Sequence, residues 1–307
     1  MLAKKVKSYA KVNLSLNIVG EKDGYHLLDS VFASVNIYDT VCIKPRKDSL
    51  INVYMHGLGS ESIPPEFNNA VRAGEAFVKK FKTTGADIEI YKDIPIGSGL
   101  GGSSADAAGV INAMAKLYKI TDETALKELA QTQGSDTSFM LKGGIARVAG
   151  RGEKIFPLAV EKQYHMLLII PPTQVSTKAC YKKYDEAPDG KRNDAEICAT
   201  GLVTGDFDKV ASGVYNALSA PSCALNQDVL TALEQAKSFS PSACAVSGSG
   251  SAVFALFESE ELCRWAKKQY KGKFKTRVVH TVIPYQKKKI NNPFYLTEEE
   301  RNQIENK

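Results

Sequence analysis

The run Pro95-Ile-Gly-Ser-Gly-Leu-Gly-Gly-Ser-Ser-Ala-Asp-Ala-Ala108 constrains this chain more than any other stretch. It leads directly into a helical pattern whose apolar stripe is Ala107, Val110, Ile111, Met114 and Leu117. Glycines ahead of a helix cost chain entropy unless the backbone must bend sharply or something must approach it closely. Here they would turn free N–H groups and the positive end of a helix dipole toward an anion, which is a phosphate cradle. The bland alternative is a flexible turn before a helix.

Several phosphate-loop and nucleophile classes are excluded by context. Gly97, Gly99 and Gly102 satisfy GxGxxG, but a dinucleotide loop follows a buried parallel strand, and the preceding Glu89-Ile-Tyr-Lys-Asp93 is polar and reads as half-exposed. The helix is followed by a second helix instead of a strand ending in an acid. The chain lacks GxxxxGK[ST], HRD, DFG and GxSxG, which removes Walker-type, protein-kinase and serine-hydrolase readings.

The chain of 307 residues is long enough for two domains. With 43% apolar and 24% charged residues it reads as a folded globular protein, and no apolar run reaches membrane-spanning length. The opening MLAKKVKSYAKVNL is basic without an apolar core or cleavage site, so no secretory leader is expected. The net charge of +6 suits an anionic small molecule as well as nucleic acid. No stripe of Lys and Arg with interleaved aromatics points to nucleic acid. The six cysteines form no CxxC and the four histidines no HxxxH. Reduced thiols in a cytoplasmic protein are therefore expected, with no dedicated metal site and no membrane partner.

Alternation places Val12, Leu14, Leu16 and Ile18 on one face of a first strand and Lys11, Asn13, Ser15 and Asn17 on the other, a pattern compatible with lining a polar site. Residues 31–41, 87–91 and 145–148 read as further strands, and 68–82 as a helix. Thr121 is the expected cap of a helix running to about Gln133. The character changes near Pro157, giving expected domains of 1–157 and 158–285 and a tail of 286–307 with a capping box at Thr297 and Glu300. In the second domain HMLLIIPP reads as a buried strand, 176–209 as polar and loop-rich with weak helices, and ACAVSGSGSAVFALF as strand, turn and strand. A helix over 260–270 and a closing strand RVVHTVI complete it.

The motif Pro-x-x-x-Gly-Leu-Gly-Gly-Ser-Ser-Ala resembles the nucleotide loop of the GHMP kinases. Its flanks narrow the resemblance to the branch that phosphorylates 4-diphosphocytidyl-2-C-methyl-D-erythritol: AKVNLSLNIVGEKDGYHLLDSVFASVNIYDTV, GSDTSFMLKGGIARVAGRGE, PPTQVSTKACY and SGSGSAVFALF occur in family order over residues 6–283. The resemblance implies an α+β GHMP kinase fold, with an N-terminal domain like domain 2 of ribosomal protein S5 and a C-terminal ferredoxin-like domain. Two departures stand out. Gly134-Ser-Asp-Thr-Ser138 replaces the common Gly-Ala-Asp-Val-Pro, and the loop reads GGSSAD where many relatives read GGGSSD.

The same resemblance implies the site. Pro95, Ile96, Gly97, Ser98, Gly99, Leu100 and Gly101, continued by Gly102, Ser103, Ser104 and Ala105, would hold ATP. Asp136 would be the catalytic base and Lys11 its partner, keeping the carboxylate ionised and steadying alkoxide charge. From residue type alone, Asp136 reads equally as a helix cap and Lys11 as a solvated edge charge. Asn13, on the strand face of Lys11, would grip a substrate hydroxyl. Tyr25 and Tyr181 would sandwich a cytosine whose edge His26 reads. Mg²⁺ would accompany ATP, with Ser104 as the loop hydroxyl to approach it. The Gly248-Ser-Gly-Ser251 turn faces substrate phosphates or is a plain hairpin turn. The expected partner is a cytidine diphosphate derivative, and the expected state a monomer or weak homodimer. Another GHMP kinase acting on homoserine or mevalonate, or a non-catalytic ligand sensor on the same fold, remains the alternative.

Overall fold

The computed structural model describes residues 3–57, 68–188, 190 and 192–283. The chain opens with two long antiparallel strands, β1 (Lys4–Lys22) and β2 (Tyr25–Pro45), paired from Lys4↔Ile43 to Lys22↔Tyr25. Asp23 and Gly24 close this hairpin with φ of 53° and 73°, the pair of positive angles that an Asp-Gly turn accommodates. Both faces of β1 are covered: Val12 and Leu14 lie in the core, and Lys11, Asn13, Ser15 and Asn17 on the opposite face are also buried.

β3 (Ile51–His56), α1 (Asn69–Phe81) and β4 (Ala86–Tyr91) follow. Asn68 caps α1 by accepting from the Ala70 N–H at 2.9 Å. β4 buries Ile88 and Ile90 completely while Tyr91 stays exposed, so the strand is amphipathic, as the alternation indicated. The glycine loop then enters α2 (Gly102–Tyr118), where every stripe residue named above is buried. In α3 (Glu123–Gln131) the cap is Asp122, not Thr121: its carboxylate accepts from the Ala125 N–H, an acceptor stronger than a hydroxyl. α4 (Thr137–Lys142), β5 (Ile145–Gly150) and β6 (Lys154–Pro157) end the first half. Its sheet runs β3-β4-β2-β1, with β5 pairing to β2 and β6 to β5.

β7 (His165–Ile170) opens the second half. The region expected to be loop-rich carries three helices, α5 (Thr177–Tyr184), α6 (Asp194–Thr204) and α7 (Phe207–Ser212). α6 buries Ala195, Cys198, Ala199 and Leu202, a helical stripe made of residues too small to stand out in a polar context. A two-residue strand β8 (Tyr215–Asn216) pairs in parallel with Ser15 and Leu16 of β1. Then come α8 (Ser219–Leu225), α9 (Gln227–Lys237), β9 (Ala243–Val246), β10 (Val253–Phe257), α10 (Glu260–Gln269) and β11 (Lys275–His280). The second sheet is antiparallel in the order β11-β7-β10-β9. With helices between β7 and β9 and α10 between β10 and β11, this is the ferredoxin-like arrangement.

β7 joins two cores. Leu167 and Ile169 pack with Val229, Ala232, Cys263 and Ala266 of α9 and α10. Met166, Leu168 and Ile170 belong to a cluster that also holds Val12, Leu14, Val31 and Phe139 from the first half, and Cys198 and Leu202 of α6. A strand buried on both faces is a continuous apolar run for that reason. The expected tail helix and capping box at 286–307 lie outside the described residues.

Candidate active site

The glycine loop sits between the two halves. Gly97, Gly99 and Gly101 have φ of 67°, 77° and 75°, the left-handed region where a side chain is strained. A Cβ on Gly99 would overlap the backbone oxygen of Ser247, and one on Gly97 the side chain of Gln174. The loop is fastened at three points. Lys11 N–H donates to Leu100 O at 3.0 Å, Ala252 N–H to Ser98 O at 2.9 Å, and Ser247 Oγ to Gly99 O at 3.2 Å. Gly101 is the N-cap of α2 and makes no side-chain cap bond to that helix. Ser103 Oγ accepts from Asn69 Nδ2 at 3.3 Å, and Ser104 Oγ lies 3.7 Å from the Cβ position of Gly134. Pro95 O accepts from Ser98 Oγ at 2.7 Å. Leu100 and Ala105 are buried in the first core.

Lys11 and Asp136 come together from distant segments. Their Nζ and Oδ2 are 3.3 Å apart, the lysine side chain 5% exposed and the aspartate 26%. Asp136 occupies the N-cap position of α4, yet its side chain makes no capping bond. The carboxylate is thus turned to Lys11 instead of to its own helix. Lys11 Nζ also donates to Asn13 Oδ1 at 2.5 Å and stands 4.8 Å from the centre of the Phe32 ring. Asn13 in turn donates to Ser30 Oγ at 3.4 Å.

The Gly248-Ser-Gly-Ser251 turn reaches the same point. A Cβ on Gly248 would lie 3.5 Å from Asn13 Oδ1 and 3.6 Å from Lys11 Nζ. Asn216 holds the turn by donating from Nδ2 to Val246 O and Gly248 O, each at 2.7 Å. Ser249 Oγ pairs with Thr177 Oγ1 at 2.9 Å.

The aromatic residues divide. His26 stacks on Tyr181 with ring centres 4.7 Å apart and planes 25° apart, and its Nε2 is 2.7 Å from Asp185 Oδ1. Burial, reinforced by the nearby Asp136, pushes the Tyr181 phenol well above its ordinary range. Tyr25 stands apart from that stack: it is 58% exposed and lies under the Arg151 guanidinium at 4.3 Å. The described contacts therefore pair Tyr181 with His26, and Tyr25 with Arg151. Beside Asp136 opens a cleft of about 600 Å³, lined by Leu27 and Leu28, by Gly134, Ser135 and Ser138, and by Lys22, Arg151 and Lys154 with Asp23 and Glu153.

Sequence reasoning passed over Phe32, Arg151 and Asp185, and also over a buried trio of Lys92, Asp39 and Asp106 next to the loop. Arg151 carried no signal beyond its place in GRGE. The trio did: an acid in the second turn of an otherwise apolar helix is a buried charge in waiting.

Residues 68–146 match the family model described as the GHMP kinases N-terminal domain. The chain is 33% identical over 283 residues to the 4-diphosphocytidyl-2-C-methyl-D-erythritol kinase of Clostridium beijerinckii, covering 90% of this chain and all of the relative. It is 35% identical to that of Clostridium acetobutylicum, covering 89% and 99%. Among solved structures, a 4-(cytidine 5'-diphospho)-2C-methyl-D-erythritol kinase superposes with a TM-score of 0.76 at 28% identity, over 91% of this chain and 99% of that one. A homoserine kinase from Cytophaga hutchinsonii shares the fold at a TM-score of 0.72 and 19% identity, over 92% and 95%.

Proposed function

The chain belongs to the 4-diphosphocytidyl-2-C-methyl-D-erythritol kinase family of the GHMP kinases, and on that premise we propose how its own residues carry the reaction. It transfers the γ-phosphoryl group of ATP to the 2-hydroxyl of 4-diphosphocytidyl-2-C-methyl-D-erythritol, giving the 2-phosphate and ADP, a step of the non-mevalonate route to isoprenoid precursors. The observation that carries the assignment of roles is the Lys11–Asp136 pair at 3.3 Å, set where the glycine loop meets the 248–251 turn.

The loop 95–105 is the triphosphate cradle. Its positive-φ glycines leave no Cβ in the way, and the uncapped start of α2 offers N–H donors to phosphate oxygens. Asp136 takes the proton of the attacking hydroxyl. One of its oxygens faces Lys11, which leaves the other for the substrate. Lys11 faces the carboxylate and places positive charge beside the developing alkoxide. Its own ammonium is fixed by Asn13, so little reorganisation accompanies the transfer. Asn13 also offers its amide to a substrate hydroxyl.

Mg²⁺, bound with ATP, would neutralise charge on the transferring group. Among the described residues no three His, Cys, Asp or Glu side chains gather into a metal cage. The Ser104 hydroxyl, phosphate oxygens and water remain as donors, a set that suits Mg²⁺. Lys22, Arg151 and Lys154 make the adjoining cleft suitable for a diphosphate. Tyr181 and Tyr25 supply stacking faces for the cytosine, and His26 its edge contact; this requires the base to open or extend the present His26–Tyr181 stack and Tyr25 to leave Arg151 and turn toward it.

The test is a phosphorylation assay with ATP and purified protein on the cytidine substrate, its uridine analogue, homoserine and mevalonate. Phosphorylation of the cytidine compound, with at least tenfold lower efficiency on the uridine analogue, is expected, because a site that pairs the N4 amine leaves polar groups unpaired with uracil. Equal use of both would remove the cytosine pocket, and turnover of homoserine or mevalonate alone would move the chain to another branch.

A further inference from the structure

β4 delivers the chain into the glycine loop through Lys92, Asp93 and Ile94, and α2 takes it out at Gly102. A single buried trio grips both ends. Lys92 Nζ lies 2.5 Å from Asp39 Oδ2 on β2 and 2.6 Å from Asp106 Oδ2 in α2, with side-chain exposures of 4%, 0% and 5%. The other oxygen of Asp39 accepts the backbone N–H groups of Asp93 at 2.7 Å and Ile94 at 2.9 Å. The ammonium sits against the helix start, 3.6 Å from the Cβ position of Gly102. From the second sheet, Arg277 clasps Asp93 with two bonds of 2.5 and 2.6 Å.

Two carboxylates and one ammonium are a costly choice for a core, because apolar side chains of the same volume often give equal or greater stability. The trio calls for a use that apolar packing would not serve. We propose that Lys92 is a positioning residue for ATP: by tying Asp39 to Asp106 it fixes the entrance and exit of the phosphate loop relative to each other, and so aims the loop's N–H groups. This rests on the reading of the loop as the triphosphate cradle.

The charge balance gives the trio a signature that packing alone would lack. Asp106 Oδ1 is buried with no partner among the described residues. Burial raises the Asp106 carboxyl to about 8, against the pull of Lys92 and with the push of Asp39. Burial alone would lower the Lys92 ammonium, but the two carboxylates outweigh it and hold it above its ordinary value. The groups facing Asp106 are Lys92 from the loop entrance and Asp39 from β2. On β1 the Ser8 hydroxyl donates to Ala105 O, and Asp93 is neutralised by Arg277. With its proton on, Asp106 adds no charge beside the cradle. Once it ionises, the trio carries a net negative charge next to a bound polyanion. ATP binding therefore weakens as pH rises through about 8.

The experiment measures the ATP KM, kcat and the CDP dissociation constant for the wild type, Lys92→Met and Asp106→Asn at pH 7.5 and 9, where the charge on ATP itself no longer changes. Lys92→Met is expected to raise the ATP KM by about tenfold or more, to change kcat at saturating ATP by less than about threefold, and to leave CDP binding as it was. The wild-type ATP KM is expected to rise by about threefold or more between the two pH values, and that rise to vanish in Asp106→Asn. An unchanged ATP KM in Lys92→Met, a parallel loss of CDP affinity, or the same alkaline rise in Asp106→Asn each overturns the inference. Should Lys92→Met fail to fold, Lys92→Gln is read in its place, with the same expected and overturning results. A wild type that transfers no phosphate from ATP sinks the kinase reading instead, which keeps the two failures distinct.

Discussion

Replacing Asp136 by Asn removes a proton acceptor and one negative charge while keeping the side chain's size and shape. Its effects on folding and on chemistry can be weighed separately. The Asp136 side chain caps no helix, so α4 loses nothing directly. The exposed cost falls on Lys11, which is 5% exposed and loses its carboxylate partner. Stripping one partner from a fully buried pair costs about 3–5 kcal/mol. Asp136 is 26% exposed and the ammonium keeps its bond to Asn13 and its place over Phe32, which brings the figure to about 1 kcal/mol after solvent screening. The chemical cost is larger. A positioned base contributes about 10²–10⁴ in rate, or about 2.7–5.5 kcal/mol of barrier. Turnover measured by ADP release should fall within that range, the ATP KM should stay within about twofold, and the melting temperature should drop by only about 2–4 °C. Retention of more than about a tenth of wild-type turnover in a folded variant would refute the base assignment. A melting temperature lowered by tens of degrees would show that the pair is there for stability.

Two of the loop's glycines should respond unequally. Gly99→Ala would drive a Cβ into the fixed backbone oxygen of Ser247, whereas Gly101→Ala meets the movable Met140 methyl. The ATP KM should rise by roughly tenfold more in the first than in the second, and equal effects would mean that left-handed strain alone matters. Tyr181→Ala removes the stack on His26 and should weaken CDP by about tenfold while sparing ATP, as should Tyr25→Ala; calorimetry with each ligand decides. In Asp194 burial works to raise the carboxyl, but bonds from Arg192 and Asn17 prevail and lower it below its ordinary value. That group stabilises the fold above the unfolded value of about 3.9, and the contribution is lost as pH falls through the lower folded value. Unfolding of Asp194→Asn should therefore depend less on pH between about 4 and 2 than the wild type does.

The parts of this molecule legible in its sequence are those governed by local period and backbone need. Alternation marked β1, a helical stripe marked α2, and glycines at 97, 99 and 101 marked positions that the structure holds at positive φ. Less legible were features set by partners far along the chain. α6 looked weak because its buried stripe is Ala195, Cys198, Ala199 and Leu202, whose small side chains gain meaning only against β1 and β2. Asp136 was ambiguous between cap and base because sequence cannot tell which way a carboxylate at an N-cap turns; Lys11, 125 positions earlier, settles its direction. Tyr25 and His26 are neighbours in sequence yet point to different partners, since adjacent residues of a strand face opposite sides.

The 248–251 turn shows why a site of this kind is built at a seam. As four residues of Gly and Ser it is no more than a hairpin turn between β9 and β10. Packed against the glycine loop, it becomes a second wall beside Lys11 and Asn13. Neither wall is rigid alone: a glycine loop has little side-chain packing to hold it. Each is fixed to the other, the Ala252 N–H donating to Ser98 O and the Ser247 hydroxyl to Gly99 O, and by anchors on opposite sides, Asn216 for the turn and the Lys92 trio for the loop. Backbone-to-backbone contact leaves N–H groups aimed inward without side chains occupying the space a phosphate needs. The shared core of Val12, Phe139, Met166 and Leu168 keeps the two walls in register. A cavity change at Met166 should therefore blunt ATP use before it unfolds either sheet, because a small shift between the halves opens both loop bonds while each sheet keeps its own ladder.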